Sequence, residues 1–591
     1  MKLPAAEDNA RVQLRQGVYL ILIVLAAGAT TARIMAVNAG DTLALDKYRI
    51  AQQLKKDKAK YESEGLSGEA LDQKMAEREP KVRKRYNTQR PFLSGNDRSR
   101  WCTVRALVEH GTYEIDAIVA EPGWDTIDMV KHPNREGEDR LYSSKPTLLP
   151  TIVAAEYWVI HYLTGETLGE RPFVIGRFML VTINVIPLAI ALLLLSLIVE
   201  RYGTSDWGRT FVMAAASFGT LLLPFSLASN NHLIAAVCAT VMIYAVLRVW
   251  YDDQRGLHWF FLAGLFGALM AAFELPALSV LAMVTAGLLW KHPRRTLQAF
   301  TPALVIVIAG FFSTQYVAHD TLIPAYMHRK AGARLGEIGA THREALSLGE
   351  VSASAREALA AEGVELNGEV LVEARSVMRK TRSKVYPGWE IRDEGKRYSV
   401  FDEGETLSVY AWDDWYEYTF RRTPKDKLRT SYWSEIKKKT SRAKIDRGEP
   451  SRAVYALHCL VGHHGIFSLT PIWFLSVIGL VQLVRGRLAM WELALLIGLS
   501  TVVCFLFYSM FVPAEDRNYG GTSSGLRWMI WFTPLWLIAM IPAADVASRW
   551  RWSRYGCLLL LTLSVLSANY PTWNPWRHPW LWNLMEYLEW I

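Results

Sequence analysis

The residues best suited to chemistry lie in two short polar clusters in the first quarter of the chain. The first, Ser94-Gly-Asn-Asp-Arg-Ser-Arg-Trp101, contains one acid, Asp97, followed closely by Arg100. The second, Tyr142-Ser-Ser-Lys-Pro146, contains Lys145. A carboxylate can take a proton from a hydroxyl group, arginine binds phosphate through two parallel hydrogen bonds, and lysine adds a compact positive charge. Together these residue types predict a site for a substrate that carries phosphate.

Both clusters also have a structural interpretation. Asp97 could cap the helix predicted over the amphipathic run Trp101–His110, in which the tryptophan lies on the apolar face and suits a membrane interface. Lys145 could be an interfacial lysine whose charged head reaches toward water. The residue types alone leave these interpretations open.

The segments around these clusters are typical of a membrane protein. The chain is 51% hydrophobic, yet 21% of its residues are charged, because very apolar and very charged segments alternate. Several apolar runs are about 20 residues long, enough to cross roughly 30 Å of hydrocarbon, and in lipid such runs must be helical. We therefore predict an all-α polytopic membrane protein. The net charge of +9 then reflects basic residues in cytoplasmic loops and does not indicate a nucleic-acid partner.

Three strongly basic loops orient the spans: Lys291-His-Pro-Arg-Arg295, Arg485-Gly-Arg487 and Arg549-Trp-Arg-Trp-Ser-Arg554. Placing all three inside predicts about eleven spans (range roughly 10–13), a cytoplasmic N-terminus and large external or periplasmic loops in a bacterial-type inner or plasma membrane. Counting the spans also predicts that the apolar segment 147–164 lies on the membrane or re-enters it without crossing. The count depends most on Glu274-Leu-Pro276, which separates the candidate spans 258–274 and 276–290. A single kinked helix there would change the topology. The candidate spans are 17–37, 173–199, 209–228, 232–251, 258–274, 276–290, 299–318, 465–484, 491–512, 525–545 and 556–571.

The charged run Asp46 to Lys84 predicts a solvated helix pair or hairpin, with Gly65-Leu-Ser-Gly68 as the break.

This topology predicts six regions, among them a small external insert. The insert begins with an Ala- and Glu-rich helical half and ends in an aromatic, acidic half; Trp412 to Tyr416 could stack on a sugar or form the core of the insert. The regions are 1–37, the cytoplasmic N-terminus and first span; 38–172, the first external loop with juxtamembrane helices and the re-entrant segment; 173–318, a transmembrane module; 319–464, the α+β insert; 465–571, the C-terminal spans; and 572–591, a Trp-rich interfacial tail.

Later external segments offer further polar residues. In Asn518-Tyr-Gly-Gly-Thr-Ser-Ser-Gly-Leu-Arg-Trp528 a glycine-rich backbone precedes Arg527, an arrangement that can approach an anion closely; an Arg–Trp anchor at the interface is the alternative. The pair His463-His464 suggests a metal, but adjacent helical residues point about 100° apart, so chelation by both is awkward.

The order of these motifs resembles the GT-C glycosyltransferases that use polyprenyl-phosphate sugars, especially the protein mannosyltransferase-like and aminoarabinose-transferase-like group. Asp97-Arg-Ser-Arg-Trp101 corresponds to an Asp-Glu-x-Arg-Tyr type motif, with Arg98 replacing the glutamate. Tyr142-Ser-Ser-Lys-Pro-Thr-Leu148 corresponds to a Tyr-x-x-Lys-Pro-Pro-Leu type motif, and Leu163-Thr-Gly165 to the end of a re-entrant segment. The resemblance covers about residues 15–320.

The resemblance implies a GT-C-like transmembrane bundle and a role for each motif residue. Asp97 would be the catalytic acid, while Lys145, in the same motif as Tyr142, would bind the lipid phosphate together with Arg100 and Arg527. Where the family often carries a second acid, this chain has Asn231 and His232, and Glu274 is a candidate replacement. No cofactor is therefore assigned, and a divalent metal stays open.

The implied function is transfer of a sugar from a polyprenyl-phosphate donor to a lipid, glycan or protein acceptor on the external face, with inversion, by an enzyme in contact with membrane lipids. One alternative is a transporter or flippase of a lipid-linked or anionic substrate, which would need charges at mid-membrane and mirrored halves. Another is a non-catalytic GT-C-like assembly partner, which the replacement at Arg98 and the missing second acid keep open.

Overall fold

The chain divides into two compact units, which are described separately. A computed structural model describes residues 9–36, 42–86, 90–368, 370–374, 379–380, 385–393, 396–415, 449, 451–487, 489–511 and 518–590. The first unit comprises Met1–Asp128, Pro146–Ala318 and Ile436–Ile591. The second comprises Met129–Lys145 and His319–Glu435.

The first unit is helical over its described residues. Seven helices of the described chain are long and apolar enough to cross a membrane: Asn9–Ala36, Pro172–Tyr202, Asp206–Phe225, Asn231–Trp250, Pro293–His319, Trp491–Met510 and Arg527–Ala547. Three shorter apolar helices are Leu257–Phe273, Leu275–Lys291 and Trp473–Arg485. The remaining helices are Thr42–Ser63, Gly68–Tyr86, Gly95–Arg105, Asp116–Ala120, Leu148–Thr164, Arg452–Leu460, Ile466–Leu469, Arg551–Asn569 and Trp580–Tyr587. These helices fit the predicted multi-pass membrane protein, whereas the number and orientation of its spans stay predictions.

At Glu274 the structure has a break between two helices. Leu257–Phe273 ends there, and the backbone of Glu274 is extended, with φ −132° and ψ 96°. A short 3₁₀ turn, Leu275–Ala277, then leads into the helix Leu278–Lys291. Pro276 lies in the first turn, where its missing N–H leaves no hydrogen bond unmade. The alternative of one kinked helix is therefore wrong.

The charged segment before the first polar cluster forms the predicted helix pair. Thr42–Ser63 and Gly68–Tyr86 are separated by a turn in which Gly65 and Gly68 have positive φ, 87° and 59°. Arg78 Nε donates to Asp57 Oδ2 across the pair at 2.7 Å. Glycine adopts positive φ without the steric cost that a side chain imposes, so the prediction from this spacing is confirmed.

The apolar segment before the second long span forms the helix Leu148–Thr164. It packs against the helix Gly95–Arg105, and the hydroxyls of Thr147 and Thr314 are 3.0 Å apart. A membrane crossing by this helix is not decided by these contacts, and the re-entrant placement stays a prediction.

Trp101 lies in the interior of the first unit. Its side chain is fully buried, and its ring stacks on Phe92 with 4.5 Å between centroids and 7° between planes. The tryptophan on the apolar face of this helix therefore packs against protein, and the placement of the helix at a membrane interface stays a prediction.

The second unit contains a five-stranded antiparallel sheet and two short helices. Its strand order is Arg329–Gly339, Thr406–Asp414, Lys396–Asp402, Gly388–Asp393 and Leu371–Ala374. The helices are Arg343–Ser347 and Ala353–Ala361. Two further hairpins pair Met129–Pro133 with Asp139–Ser143 and Arg379–Lys380 with Val385–Tyr386. The core of the unit is formed by buried apolar residues from strands and helices, including Ile338, Leu359, Ile391, Val400 and Val409.

Candidate active site

A short connection before the helix Asn231–Trp250 is fixed by two side-chain amides. Asn184 Nδ2 donates to the carbonyl oxygens of Ser226 and Ala228, each at 3.0 Å. The Asn230 amide donates to Ala228 O at 2.8 Å, and its Oδ1 accepts from the backbone of the first helical turn, capping the helix. Capping satisfies a backbone N–H that has no partner within the helix. The backbone N–H of Ser229 is thereby held in a defined position.

Asp97 is fully buried, and both of its carboxylate oxygens accept hydrogen bonds. Oδ1 accepts from Trp101 Nε1 and from Ser229 N, each at 3.0 Å, and Oδ2 accepts from Leu93 N at 3.2 Å. Burial raises the pKa of Asp97 to about 6, although these hydrogen bonds oppose the shift. The acid thus joins the start of its own helix to the connection before Asn231–Trp250.

Asp97 is not the N-cap of its helix. The cap is Ser94, whose Oγ accepts from the backbone N–H of Asp97 at 3.0 Å. Asp97 lies in the first turn, where a negative charge interacts favourably with the helix dipole. The capping alternative for Asp97 is therefore wrong.

Arg100 continues the network from the same helix. It is buried, and its Nη1 donates to Asn96 Oδ1 at 2.6 Å while its Nη2 donates to Asn231 Oδ1 at 2.6 Å. The Asn231 Nδ2 in turn donates to Glu274 Oε1 at 2.7 Å. Burial lowers the pKa of Arg100, which the charge of Asp97 opposes. Arg100 and Glu274 are thus connected through one side chain.

Glu274 occupies the break between the two helices and is only 5% exposed. Its Oε1 takes both close contacts, one from Asn231 Nδ2 and one from His232 Nδ1. Its Oε2 accepts no hydrogen bond from the part of the chain that the structure describes. One carboxylate oxygen of this buried acid therefore has no hydrogen-bond donor among the described residues.

Arg527 begins the long helix that follows the glycine-rich segment. Its Cζ lies 4.8 Å from the ring centroid of Trp576, a cation–π geometry. Gly520, with φ 92°, lies so close that an added Cβ would be 2.0 Å from Arg527 Nε. Asp128 and Glu274 are among the charged side chains that interact electrostatically with it.

The guanidinium of Arg527 makes no hydrogen bond within the part of the chain that the structure describes. Its side chain is partly exposed, and it donates no hydrogen bond to any residue that the structure describes, Nε included. Buried polar groups are almost always hydrogen-bonded, so the buried Nε of Arg527 is an exception among the described residues.

Arg98, which stands where the resembled family has a glutamate, has a structural role. Its Nε donates to Pro91 O at 3.1 Å and its Nη1 to Asp125 O at 2.8 Å. Burial lowers its pKa. The side chain therefore fastens two loop segments around the helix and is not directed at a substrate.

Tyr142 and Lys145 belong to the second unit. Tyr142 is buried in the hairpin, where its ring stacks on His132 with 4.1 Å between centroids. Lys145 is half-buried, and its backbone N–H donates to Ser143 Oγ at 3.2 Å. The predicted pairing of Lys145 with Asp97 across a lipid phosphate stays a prediction.

The aromatic stretch Trp412 to Tyr416 is only partly described. The side chains of residues 412–414 and the whole of Tyr416 lie outside the described residues. Trp415 stacks on His328 with 3.5 Å between ring centroids and on His132 with 4.1 Å. Its ring contacts these two histidines within the second unit, and the choice between a sugar-stacking and a core role for the stretch stays a prediction.

Two members of the network were missed by reasoning from the sequence. Asn96 accepts from Arg100, and their spacing of four residues on a helix was a usable signal. Asp128, which interacts electrostatically with Arg100 and Arg527, gave no such signal, because it follows a loop whose course depends on tertiary contacts.

The described residues of this network do not form a complete metal site. Glu274 and His232 supply the two donors that come together there, whereas zinc sites use three or four protein ligands. Asn231 is the remaining residue predicted where the resembled family carries a second acid. Its amide is hydrogen-bonded to Arg100 and Glu274. No chemical step is therefore assigned to a metal at this network.

Comparison with known proteins adds little to this geometry. No protein-family model matches the chain, and no curated protein matches it. Among solved structures, the chain is similar to the crystal structure of the Archaeoglobus fulgidus oligosaccharyltransferase in the apo form, at 12% identity and a TM-score of 0.35. The alignment covers 94% of this chain and 55% of that chain, so this chain spans about half of its length. A TM-score this low does not show a shared activity or site.

Proposed function

We propose that this protein is an integral membrane glycosyltransferase that moves a sugar from a polyprenyl-phosphate donor to a hydroxyl group of a lipid, glycan or protein acceptor. The observation that carries the proposal is the guanidinium of Arg527, which has no hydrogen-bond acceptor among the described residues. A guanidinium matches the geometry of phosphate through two parallel N–H donors.

The surroundings of Arg527 favour an anion over a structural role. Among its charged neighbours, Arg100 donates to Asn231 and Glu274 Oε1 accepts from Asn231, and neither is hydrogen-bonded to Arg527. A desolvated positive charge is costly unless it is paired. The phosphate of a lipid-linked donor is an anion of suitable shape at a membrane surface.

The reaction follows from the open oxygen of Glu274. The acceptor hydroxyl oxygen attacks the anomeric carbon of the sugar, and the bond between that carbon and the phosphate oxygen breaks. Glu274 Oε2 takes the hydroxyl proton as general base, and the polyprenyl phosphate leaves with the bonding electrons. Arg527 stabilises the charge that develops on the leaving phosphate. Attack opposite the leaving group inverts the anomeric carbon.

We assign Asp97 to positioning. Its two oxygens are occupied by three donors and its side chain is fully buried. Asp97 keeps its helix fixed against Ser229, and the same helix presents Arg100 to Asn231. If Asp97 were instead the base, an acceptor hydroxyl would have to displace one of these donors.

The positions of the polar residues along the helices favour interfacial chemistry over transport. Asn231 and Arg527 each begin a candidate span, and Glu274 directly follows the apolar helix Leu257–Phe273. Transport pathways place charges near the middle of spans. The network residues lie at helix ends, where an acceptor in water can reach a donor in lipid.

The test is transfer of radiolabelled sugar from a panel of polyprenyl-phosphate sugars by the purified full chain. We expect Glu274→Gln to lower kcat by about 100-fold or more with little change in donor binding, because loss of a general base removes a factor of roughly 10²–10⁴. Glu492→Gln is the control, since that glutamate accepts from Tyr251 OH elsewhere in the unit.

Two results would contradict the proposal. Undiminished transfer in Glu274→Gln would remove the general base. Movement of the labelled lipid across proteoliposomes without sugar transfer would indicate a transporter. Mass spectrometry of the lipid that copurifies with the wild type would identify the donor class.

A further inference from the structure

A second polar cluster lies in the C-terminal part of the first unit, where the helix Arg452–Leu460 ends in a tight turn. The rings of His458 and His463 stack with 3.9 Å between centroids, and the ring of His464 stacks on Tyr519 with 4.1 Å. Glu449 joins them from the preceding segment. None of these residues takes part in the network of Arg100 and Glu274.

Three of these side chains converge in a way that suits a cation. One ligand atom from each of Glu449, His458 and His463 lies within 4.8 Å of the other two. The separation between His463 Nε2 and Glu449 Oε1 is 3.6 Å. Two ligands of a tetrahedral zinc ion, each bound at about 2.1 Å, are roughly 3.4 Å apart. That pair already has nearly the required spacing, and the other separations, at most 4.8 Å, would have to shorten by up to roughly 1.4 Å.

The surrounding contacts orient these ligands as outer partners do in metal sites. His463 Nδ1 is 2.6 Å from His464 Nδ1, which leaves His463 Nε2 directed toward Glu449. Tyr519 OH donates to Glu449 Oε1 at 2.8 Å. Histidine ligands generally hydrogen-bond through their second ring nitrogen, and ligating carboxylates are themselves hydrogen-bonded. Both features are present here.

The third ligand is held by close backbone packing. His458 Nδ1 is buried and has no hydrogen-bond partner among the described residues. A Cβ added to Gly462 would lie 2.2 Å from this nitrogen, so a residue with a side chain would displace the ring. A buried ring nitrogen without a hydrogen bond is unusual in proteins.

We propose that Glu449, His458 and His463 bind one divalent transition metal ion of the zinc class, with His464 as a positioning residue. Two imidazoles and one carboxylate form a ligand set that zinc accepts, with a fourth position for water. The proposal does not rest on the proposed glycosyl transfer. In this arrangement His463 binds the ion and His464 orients His463, so the two adjacent histidines need not both bind the metal.

The ion would brace the loop that carries Arg527. Tyr519 binds Glu449 through its hydroxyl, and Tyr455 OH donates to Asn518 O at 2.6 Å. Asn518 Oδ1 in turn accepts from Gly520 N at 2.8 Å, and Gly520 packs directly on Arg527. The metal site therefore anchors the first residues of the glycine-rich segment.

The test uses the untagged full chain in detergent, stripped with chelator and titrated with Zn²⁺, followed by elemental analysis after gel filtration. We expect one zinc ion per chain, and at least about tenfold weaker binding in each of Glu449→Gln, His458→Gln and His463→Gln. A loss of roughly 10- to 100-fold is expected for His464→Gln, as for other outer partners of metal ligands. The matched control is His578→Gln, because His578 packs beside the cluster on Trp582 but is not among the ligands. Mg²⁺ should not compete, since it prefers oxygen ligands.

A second measurement avoids dependence on the folding of the variants. Co²⁺ bound to the stripped wild type should give intense visible absorption bands typical of four-coordinate cobalt. Substoichiometric zinc, weak six-coordinate cobalt bands, or equal zinc binding by wild type and all three ligand variants would each overturn the proposal.

Discussion

Arg100 and Glu274 are joined through a single amide, that of Asn231. Arg100 Nη2 donates to Asn231 Oδ1 at 2.6 Å, and Asn231 Nδ2 donates to Glu274 Oε1 at 2.7 Å. An amide can connect a cation to an anion because it offers an acceptor on one side and a donor on the other. The first residue of a long apolar helix thereby sets the relative positions of a helix in the first loop and a helix break.

Changing this amide to a carboxylate should break the connection on one side only. Asn231→Asp keeps an acceptor for Arg100 but places an oxygen against Glu274 Oε1, where two acceptors repel. We expect the free energy of unfolding to fall by about 1–3 kcal/mol, as for other buried polar groups that lose a partner, and transfer activity to fall with it. The control is Asn583→Asp, an exposed asparagine that donates to Tyr570 OH. Equal melting temperatures for Asn231→Asp and wild type would contradict this role.

Arg527 should be sensitive to replacement by lysine. Arg527→Lys keeps the charge but cannot make two parallel hydrogen bonds to phosphate, so we expect the dissociation constant of the polyprenyl-phosphate donor to rise about tenfold or more. The comparison is Arg551→Lys, because Arg551 also lies over a tryptophan, Trp552, at 5.5 Å. Binding is measured with labelled donor lipid in detergent. Equal affinity in the two variants would show that Arg527 is only an interfacial anchor.

The glycine next to Arg527 provides a test that leaves the charge unchanged. Gly520→Ala would place a methyl group 2.0 Å from Arg527 Nε, displacing the guanidinium, so donor affinity should fall toward that of Arg527→Lys. Gly521→Ala is a close control, because Gly521 also has positive φ, 79°, but an added Cβ meets nothing within 4 Å. Both variants bear similar backbone strain. Donor affinity should therefore fall further in Gly520→Ala than in Gly521→Ala. Equal losses in both would attribute the effect to strain.

The buried acid predicts a pH dependence of stability. Burial raises the pKa of Asp97 to about 6 from its usual 3.8, so the folded protein holds this proton more tightly than the unfolded chain does. The contribution of Asp97 to the free energy of unfolding therefore decreases as pH rises from about 4 to about 6, by up to about 3 kcal/mol, and is constant above that range.

Removing the titrating group should remove this slope. In Asp97→Asn the melting temperature, measured in detergent across pH 4–7, should lack the wild-type decrease between pH 4 and pH 6. The variant should also be less stable near pH 4, because an amide NH₂ would face one of the three donors. Asp72→Asn, at an exposed position of the charged helix pair, should keep the wild-type profile. Parallel profiles for wild type and Asp97→Asn would contradict the assignment.

The apolar runs were predictable because a helix in lipid is specified by composition and length. Each of the candidate spans named from the sequence overlaps a helix or helical turn, and glycines at 65 and 68 separated the charged helix pair as expected. The break at Glu274 was recognisable because a charged residue and a proline interrupt an otherwise continuous apolar run.

The roles of individual polar residues were harder to predict. Asp97 was expected either to cap a helix or to act as a base, and Trp101 was expected at the membrane interface. Their actual partners, Ser229 and Phe92, lie in other segments. No local pattern contains these contacts, because they arise from the packing of segments distant in the sequence.

The cluster around His463 shows the same limit. In the sequence, the adjacent pair His463-His464 suggested a metal site. Helical geometry argued against both residues acting as ligands. The structure instead brings His463 together with Glu449 and His458. A tight turn after a helix places residues five positions apart with their rings stacked, which depends on Gly462.

By itself, the sequence determined the class of protein, the helical segments and the residue types available for phosphate chemistry, because each of these depends on composition or on contacts between near neighbours. Only the tertiary structure decided which acid has an oxygen without a donor, which arginine has no hydrogen-bond acceptor among the described residues, and which histidines converge. Those properties depend on how each polar atom is satisfied, and the atoms that satisfy it come from segments far apart in the chain.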